Sequence, residues 1–120
     1  MSKILIVDDA KLMRNVIKST LQERGSHEII EAQNGREAVA LYREHRPDLV
    51  TMDITMERQN GLEAAMEILD FDRSAKIIMV TAIGQEKMLT ACIKAGVTDY
   101  IVKPFAKERI LSSIDKALQK

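Results

Sequence analysis

The sequence predicts an α/β fold: a doubly wound, five-stranded parallel sheet with five helices. Two observations predict it. Short apolar, β-branched runs alternate with segments whose apolar residues recur at helical spacing, and the alternation repeats along all 120 residues. The strand candidates are apolar at nearly every position, which suits strands buried on both faces. Right-handed crossovers then leave a doubly wound sandwich as the natural topology.

The elements follow in order. Ile4 to Val7 reads as a buried strand ending at Asp8-Asp9. Met13, Val16, Ile17, Thr20 and Leu21 mark a first helix, stopped by Gly25. Glu28 to Ala32 is the second strand, Asn34-Gly35 a turn, and Ala38, Val39 and Tyr42 mark the second helix. After Pro47, Asp48 to Met52 forms the third strand, ending at Asp53. Leu62, Ala65, Met66 and Leu69 sit at i, i+3, i+4 and i+7, a third helix opened near Asn60-Gly61. Lys76 to Val80 is the fourth strand, ending at Thr81, and Gln85 to Ala95 the fourth helix, closed by Gly96. Asp99 to Val102 is the fifth strand, ending at Lys103-Pro104. Ile110, Leu111, Ile114, Ala117 and Leu118 give the last helix.

Composition narrows the function. Residues 1–120 fit one domain, with no stretch rich in Pro, Gly or Ser to serve as a linker. Eighteen basic residues balance 18 acidic ones, which argues against nucleic acid or a membrane as the main partner. Cys92 is the only cysteine, so no intramolecular disulfide forms, as expected in a reducing cytoplasm. The apolar run before Asp8 is too short for a signal peptide, and no run approaches the roughly 20 residues that span a bilayer. The chain reads as a cytoplasmic monomer.

The strand ends carry the chemistry. In doubly wound sheets the functional crevice lies at the carboxyl ends of the strands. That edge would hold Asp8-Asp9, Asp53, Thr81 and Lys103. Taken singly, each has a plain explanation: a helix-capping Asp, a β-branched strand end, a lysine before a turn proline. Together they put three carboxylates in one place, where mutual repulsion and burial disfavour ionisation. One lysine offsets one charge; a hard divalent ion with oxygen ligands, such as Mg²⁺, would offset two more. A cation, a lysine and a hydroxyl also suit a transferring phosphoryl group, whose charge spreads over its equatorial oxygens. A carboxylate can serve as the nucleophile and become an acyl phosphate.

The set Asp8-Asp9, Asp53, Thr81-Ala82 and Lys103-Pro104-Phe105 resembles the receiver domains of two-component response regulators, along the whole chain and in order. Within that flavodoxin-like family, three stretches resemble the single-domain chemotaxis regulators of the CheY type. They are Thr51 to Met56, Ile83-Gly84-Gln85, and Ile101 to Phe105. The resemblance implies that Asp53 is the phospho-acceptor. It implies Asp9 as a direct Mg²⁺ ligand, Asp8 as one acting through water, and Asp53 with the Thr55 backbone carbonyl as the other protein ligands. Lys103 would pair with the phosphoryl group, across a cis bond to Pro104, and Thr81 would hydrogen-bond a phosphoryl oxygen. Tyr100 stands where the family has a rotating aromatic switch. The partners implied are a histidine kinase, a phosphorylation-dependent output protein such as a flagellar switch, and a phosphatase. Leu89, Tyr100 and Val102 are the output contacts expected on the fourth helix and fifth strand.

The loop after Asp53 departs from the family. Glu57 stands where proline is usual, and Asn60, rather than an acid, precedes Gly61. Glu57 is expected to point to solvent beside Arg58. Ile83 cannot orient an attacking water, which leaves the persistence of the acyl phosphate open. His27 and His45 read as surface residues, and the methionines as packing. Met88, Ala91, Cys92 and Ala95 form one stripe of the fourth helix, with Leu89 and Ile93 beside it: a broad core face or a partner face.

Three alternatives compete with a chemotaxis switch. A phosphorelay intermediate would pass its phosphate to another histidine. An aspartyl-phosphate phosphatase of the haloacid-dehalogenase type would need an Asp-x-Asp pair after the first strand, whereas Thr55 lies two beyond Asp53 on the third. A mononucleotide binder would need a Ser, Thr or Gly-rich first loop, where Asp8-Asp9 would repel phosphate.

Overall fold

The structure, a computed structural model, describes residues 2–54, 56 and 60–119. Its five strands are β1 (Lys3–Val7), β2 (Glu28–Ala32), β3 (Leu49–Asp53), β4 (Ile77–Ala82) and β5 (Asp99–Lys103). The helices are α1 (Lys11–Gln22), α2 (Gly35–His45), α3 (Gly61–Phe71), α4 (Glu86–Ala95) and α5 (Lys107–Leu118). All strand pairs are parallel, in the order β2-β1-β3-β4-β5. The predicted doubly wound fold is the observed one.

The apolar strands explain the two-sided burial. Leu5, Val7, Val50, Met52, Ile77 and Met79 join α2, α3 and Cys92 of α4 in one core. Ile4, Ile6, Leu49, Ile78 and Ile101 join α1 and α5 in the other. Neighbours on one strand thus feed opposite cores, as a period of two demands. Each fully buried side chain of this kind contributes about 1.5–3 kcal/mol.

The order in which strands are added reverses between β1 and β3, which lie side by side and parallel while their crossovers leave toward opposite edges of the sheet. The crevice opens there, at the carboxyl ends. Register aligns the polar ends: Asp53 lies opposite Val80, Thr81 opposite Val102, and Ala82 opposite Lys103.

The boundaries differ in places from the sequence reading. α1 ends at Gln22, and Gly25 serves the following turn with φ +133°. β3 begins at Leu49 because Asp48 is occupied as a clamp. Its N–H donates to the Lys3 carbonyl at 2.7 Å, and its carboxylate accepts from the Lys3 N–H at 2.8 Å. β4 runs on to Ala82 because β5 continues to pair with it. α4 starts at Glu86, with Gln85 at the cap position but its side chain directed elsewhere. Asn60 caps α3 in a reciprocal box with Glu63, which gives this departure from the family a structural role. Glu57, Arg58 and Thr55 lie outside the described residues.

Candidate functional site

The site forms where β1, β3, β4 and β5 end. Asp8 is 1 % exposed and Asp53 6 % exposed, whereas Asp9 faces solvent. One oxygen from each of the three carboxylates lies within 4.8 Å of the others. The Lys103 ammonium joins them, 3.2 Å from Asp53 Oδ1 and 3.4 Å from Asp8 Oδ2. The Lys103–Pro104 peptide is cis.

The electrostatics follow from this crowding. Burial, then the Asp8 charge, push the Asp53 carboxyl from 3.8 up to about 6 against the pull of Lys103. Burial works to lower Lys103, but the Asp53 and Asp8 carboxylates outweigh it and hold the ammonium above its ordinary value. One lysine among three acids leaves a negative excess. The donor set is all oxygen and suits a hard divalent cation rather than a soft one. The fourth ligand expected, the Thr55 carbonyl, lies outside the described residues.

Arg14 was not found by sequence reasoning. It is 8 % exposed on the inner side of α1, and its Nη1 donates to the Asp8 carbonyl at 2.7 Å. Its Nε donates to Glu31 Oε1 at 2.9 Å. Asp8 Oδ1 in turn accepts from the Ala10 N–H at 2.9 Å. The Asp8-Asp9 turn is thereby held from both sides. A signal existed: Arg14, Ile17 and Leu21 share the i, i+3, i+7 face of an otherwise apolar stripe. Arg14→Met should lower stability by about 1–3 kcal/mol, because a buried carbonyl and Glu31 lose a charged partner. It should also weaken Mg²⁺ binding several-fold in a fluorescence or calorimetric titration. Unchanged Mg²⁺ affinity would remove Arg14 from any role in shaping the acidic turn.

The other expected residues are placed as follows. Thr81 is buried at the end of β4, with its hydroxyl directed at Gln85 Oε1, 3.1 Å away. Tyr100 and Val102 emerge from the outer face of β5, 38 % and 42 % exposed. The Tyr100 backbone is anchored: its carbonyl accepts from Arg109 Nη2 at 2.7 Å and its N–H donates to Asp99 Oδ1 at 2.8 Å. Leu89 is half-buried and packs on the core with Met88, Cys92 and Ala95, so most of the first α4 stripe and Leu89 of the second are core, while Ile93 is 51 % exposed. His27 and His45 are half-buried rather than free on the surface, and stand apart from the acidic cluster.

Comparison with known proteins agrees with this geometry. The family model described as response regulator receiver domain matches residues 4–115. The chain is 51 % identical over 116 residues to chemotaxis protein CheY of Bacillus subtilis (strain 168), covering 97 % of each chain. A crystal structure of a response regulator receiver domain protein from Clostridium thermocellum superposes with a TM-score of 0.93 at 25 % identity, covering 99 % of this chain and 95 % of that one. NtrX from Brucella abortus gives a TM-score of 0.90 at 29 % identity over 98 % of this chain, which spans only 27 % of NtrX.

Proposed function

The chain belongs to the response regulator receiver family, and on that footing we propose that Asp53 is the phosphoryl acceptor of a signalling switch. It is a phosphorylation-activated response regulator, served by a histidine kinase and read by a downstream target. The observation that carries Asp53 is the Lys103 ammonium set between Asp53 and Asp8 in a cluster of three carboxylates. Among described residues no helix is long and apolar enough to cross a membrane.

The chemistry assigns each residue a task. Even pushed up to about 6, the Asp53 carboxyl is mostly ionised at pH 7 and able to attack phosphorus. A carboxylate oxygen forms the new P–O bond as the P–N bond of a phosphohistidine breaks, and the imidazole leaves with the electron pair. The Lys103 ammonium already touches the attacking group and follows the charge onto the phosphoryl oxygens. Asp8, Asp9 and Asp53, with the Thr55 carbonyl, would hold Mg²⁺, which when bound offsets the negative charge of donor and acceptor. Thr81 turns its hydroxyl to a phosphoryl oxygen and vacates space toward which Tyr100 can rotate. The face built by α4, β5 and α5, with Tyr100, Val102 and Leu89, then changes affinity for its target.

Chemotaxis is the process we assign, supported by the half-identical relative that bears that name and matches almost end to end. A flagellar switch as target and a separate phosphatase are the finer expectations. Acetyl phosphate with Mg²⁺ should add one phosphoryl group, labile to hydroxylamine as an acyl phosphate is, and chelation should suppress it. Label that resists hydroxylamine, or no label at all with Mg²⁺ present, would overturn the assignment.

A further inference from the structure

We propose that Gln85 is a built-in occupant of the phosphoryl-oxygen position, holding the switch off until a phosphoryl group on Asp53 displaces it; this rests on Asp53 being the acceptor. Gln85 Oε1 accepts from the Ala82 N–H at 2.7 Å and lies 3.1 Å from the Thr81 hydroxyl, nearer than that hydroxyl's other acceptor, the Ala82 carbonyl at 3.3 Å. These donors sit on consecutive residues at the carboxyl end of β4. Val80, just before them, is the register partner of Asp53. Two convergent donors beside a nucleophile are what an oxyanion requires. Here a neutral amide oxygen of the same chain fills that position.

The atom assignment follows from chemistry. A backbone N–H can only donate, so the group 2.7 Å from Ala82 must be the amide oxygen and not the amide nitrogen. The same oxygen can then only accept from the Thr81 hydroxyl. That hydroxyl has one proton, so it cannot serve Gln85 and a phosphoryl oxygen at once. The phosphoryl oxygen should win the exchange, because hydrogen bonds to a charged acceptor are about twice as strong as neutral ones.

Release of Gln85 would reach the output face by a short path. Gln85 holds the cap position of α4, yet its side chain reaches back to β4 instead of capping the helix. The turn from Ala82 to Gly84 is exposed, and Gly84 has φ +98°. In α4 only Cys92 is fully buried, with Met88, Leu89 and Ala95 partly buried against the core, and the first turn at Glu86 and Lys87 is exposed. Breaking this tie to β4 therefore loosens the first turn of α4, the edge of the surface that Leu89 and Tyr100 belong to.

The test uses beryllofluoride, a phosphoryl mimic, in the presence of Mg²⁺, with affinity read on the folded protein. Gln85→Met keeps the length of the side chain and removes the acceptor. It should tighten beryllofluoride binding about three- to ten-fold, the worth of one modest hydrogen bond. Gln85→Glu supplies a charged competitor and should weaken binding by at least as much. In a Thr81→Ala background the Gln85→Met gain should shrink, since one of the two donors is gone. A residue that only shapes the turn would change the unfolding midpoint and leave all three affinities alone. Affinities within two-fold of wild type for both Gln85 variants, or a gain undiminished by Thr81→Ala, would overturn the proposal while leaving Asp53 as acceptor. Failure of the wild type itself to bind beryllofluoride or to take phosphate from acetyl phosphate would overturn both.

Discussion

Asp53→Asn should abolish phosphoryl uptake and, in metal-free buffer at pH 7, yield a protein more stable than the wild type. The loss of chemistry follows from removing the nucleophilic oxygen. The gain in stability follows from the site's own strain. Asp53 titrates near 6 in the folded chain instead of 3.8, because burial and the Asp8 charge oppose its ionisation. The folded protein therefore holds a proton that the unfolded chain releases. The stability linked to this proton is complete below about 3.8 and is lost as pH rises through about 6. At pH 7 the wild type carries the full penalty, about 1–3 kcal/mol once some solvent screening at this crevice is allowed for. Asparagine carries none of it. The two urea-unfolding curves in EDTA should be separated at pH 7 and draw together as pH falls toward 4. Added Mg²⁺ should stabilise the wild type more than the variant and narrow the gap from the other side. An asparagine variant less stable than wild type at pH 7 without metal would mean that the acidic cluster is not strained in this way.

The same crowding explains why the site was readable in the sequence. Strand ends can be located because their strands are apolar runs, and the topology of a parallel sheet brings the ends together whatever else the chain does. Asp8, Asp9, Asp53, Thr81 and Lys103 could therefore be grouped from their positions alone. What escaped depends on side-chain reach rather than on periodicity. Gln85 lies at the end of a polar turn, where no pattern distinguishes a glutamine facing solvent from one bonded back to Thr81 and Ala82. Arg14 did leave a trace, a charge on an apolar helical face, but its bond to the Asp8 carbonyl needs the docked helix to be seen. Leu89 was expected on the output surface from its stripe on α4, and the sheet draws it half inward. Helix periodicity shows which residues share a face, and only the packed neighbours decide how deep that face goes.

Gly61 was read as a helix opener, yet its larger role is the room it leaves for the acceptor strand, and Gly61→Ala should be among the most damaging single-methyl additions in the chain. A Cβ at this position would lie 2.1 Å from the Asp53 carbonyl oxygen, 2.8 Å from Ile54 Cα and 2.9 Å from the Asp53 carbonyl carbon. All three are backbone atoms, so no side chain can swing aside to relieve the overlap. Intrinsic propensity points the other way, since alanine favours a helix over glycine by about 1 kcal/mol. The clash should reverse that sign. α3 cannot back away cheaply, because Ala64, Ala65 and Ile68 are fully packed beneath it. The Gly61 N–H is also tied to the Ile54 carbonyl at 2.7 Å. The end of β3 cannot yield either without moving Asp53 relative to Lys103. The expected cost is about 2–4 kcal/mol, in the range of overpacking a closed core with the backbone displaced. Gly25→Ala is the control. Its backbone is at φ +133°, but nothing lies within 4 Å of an added Cβ. That variant should lose about 1–3 kcal/mol, from backbone strain alone. Phosphoryl uptake measured on folded protein should fall for Gly61→Ala and hold for Gly25→Ala. A Gly61→Ala protein as stable as Gly25→Ala, with wild-type uptake, would show that the α3 terminus does not brace the acceptor.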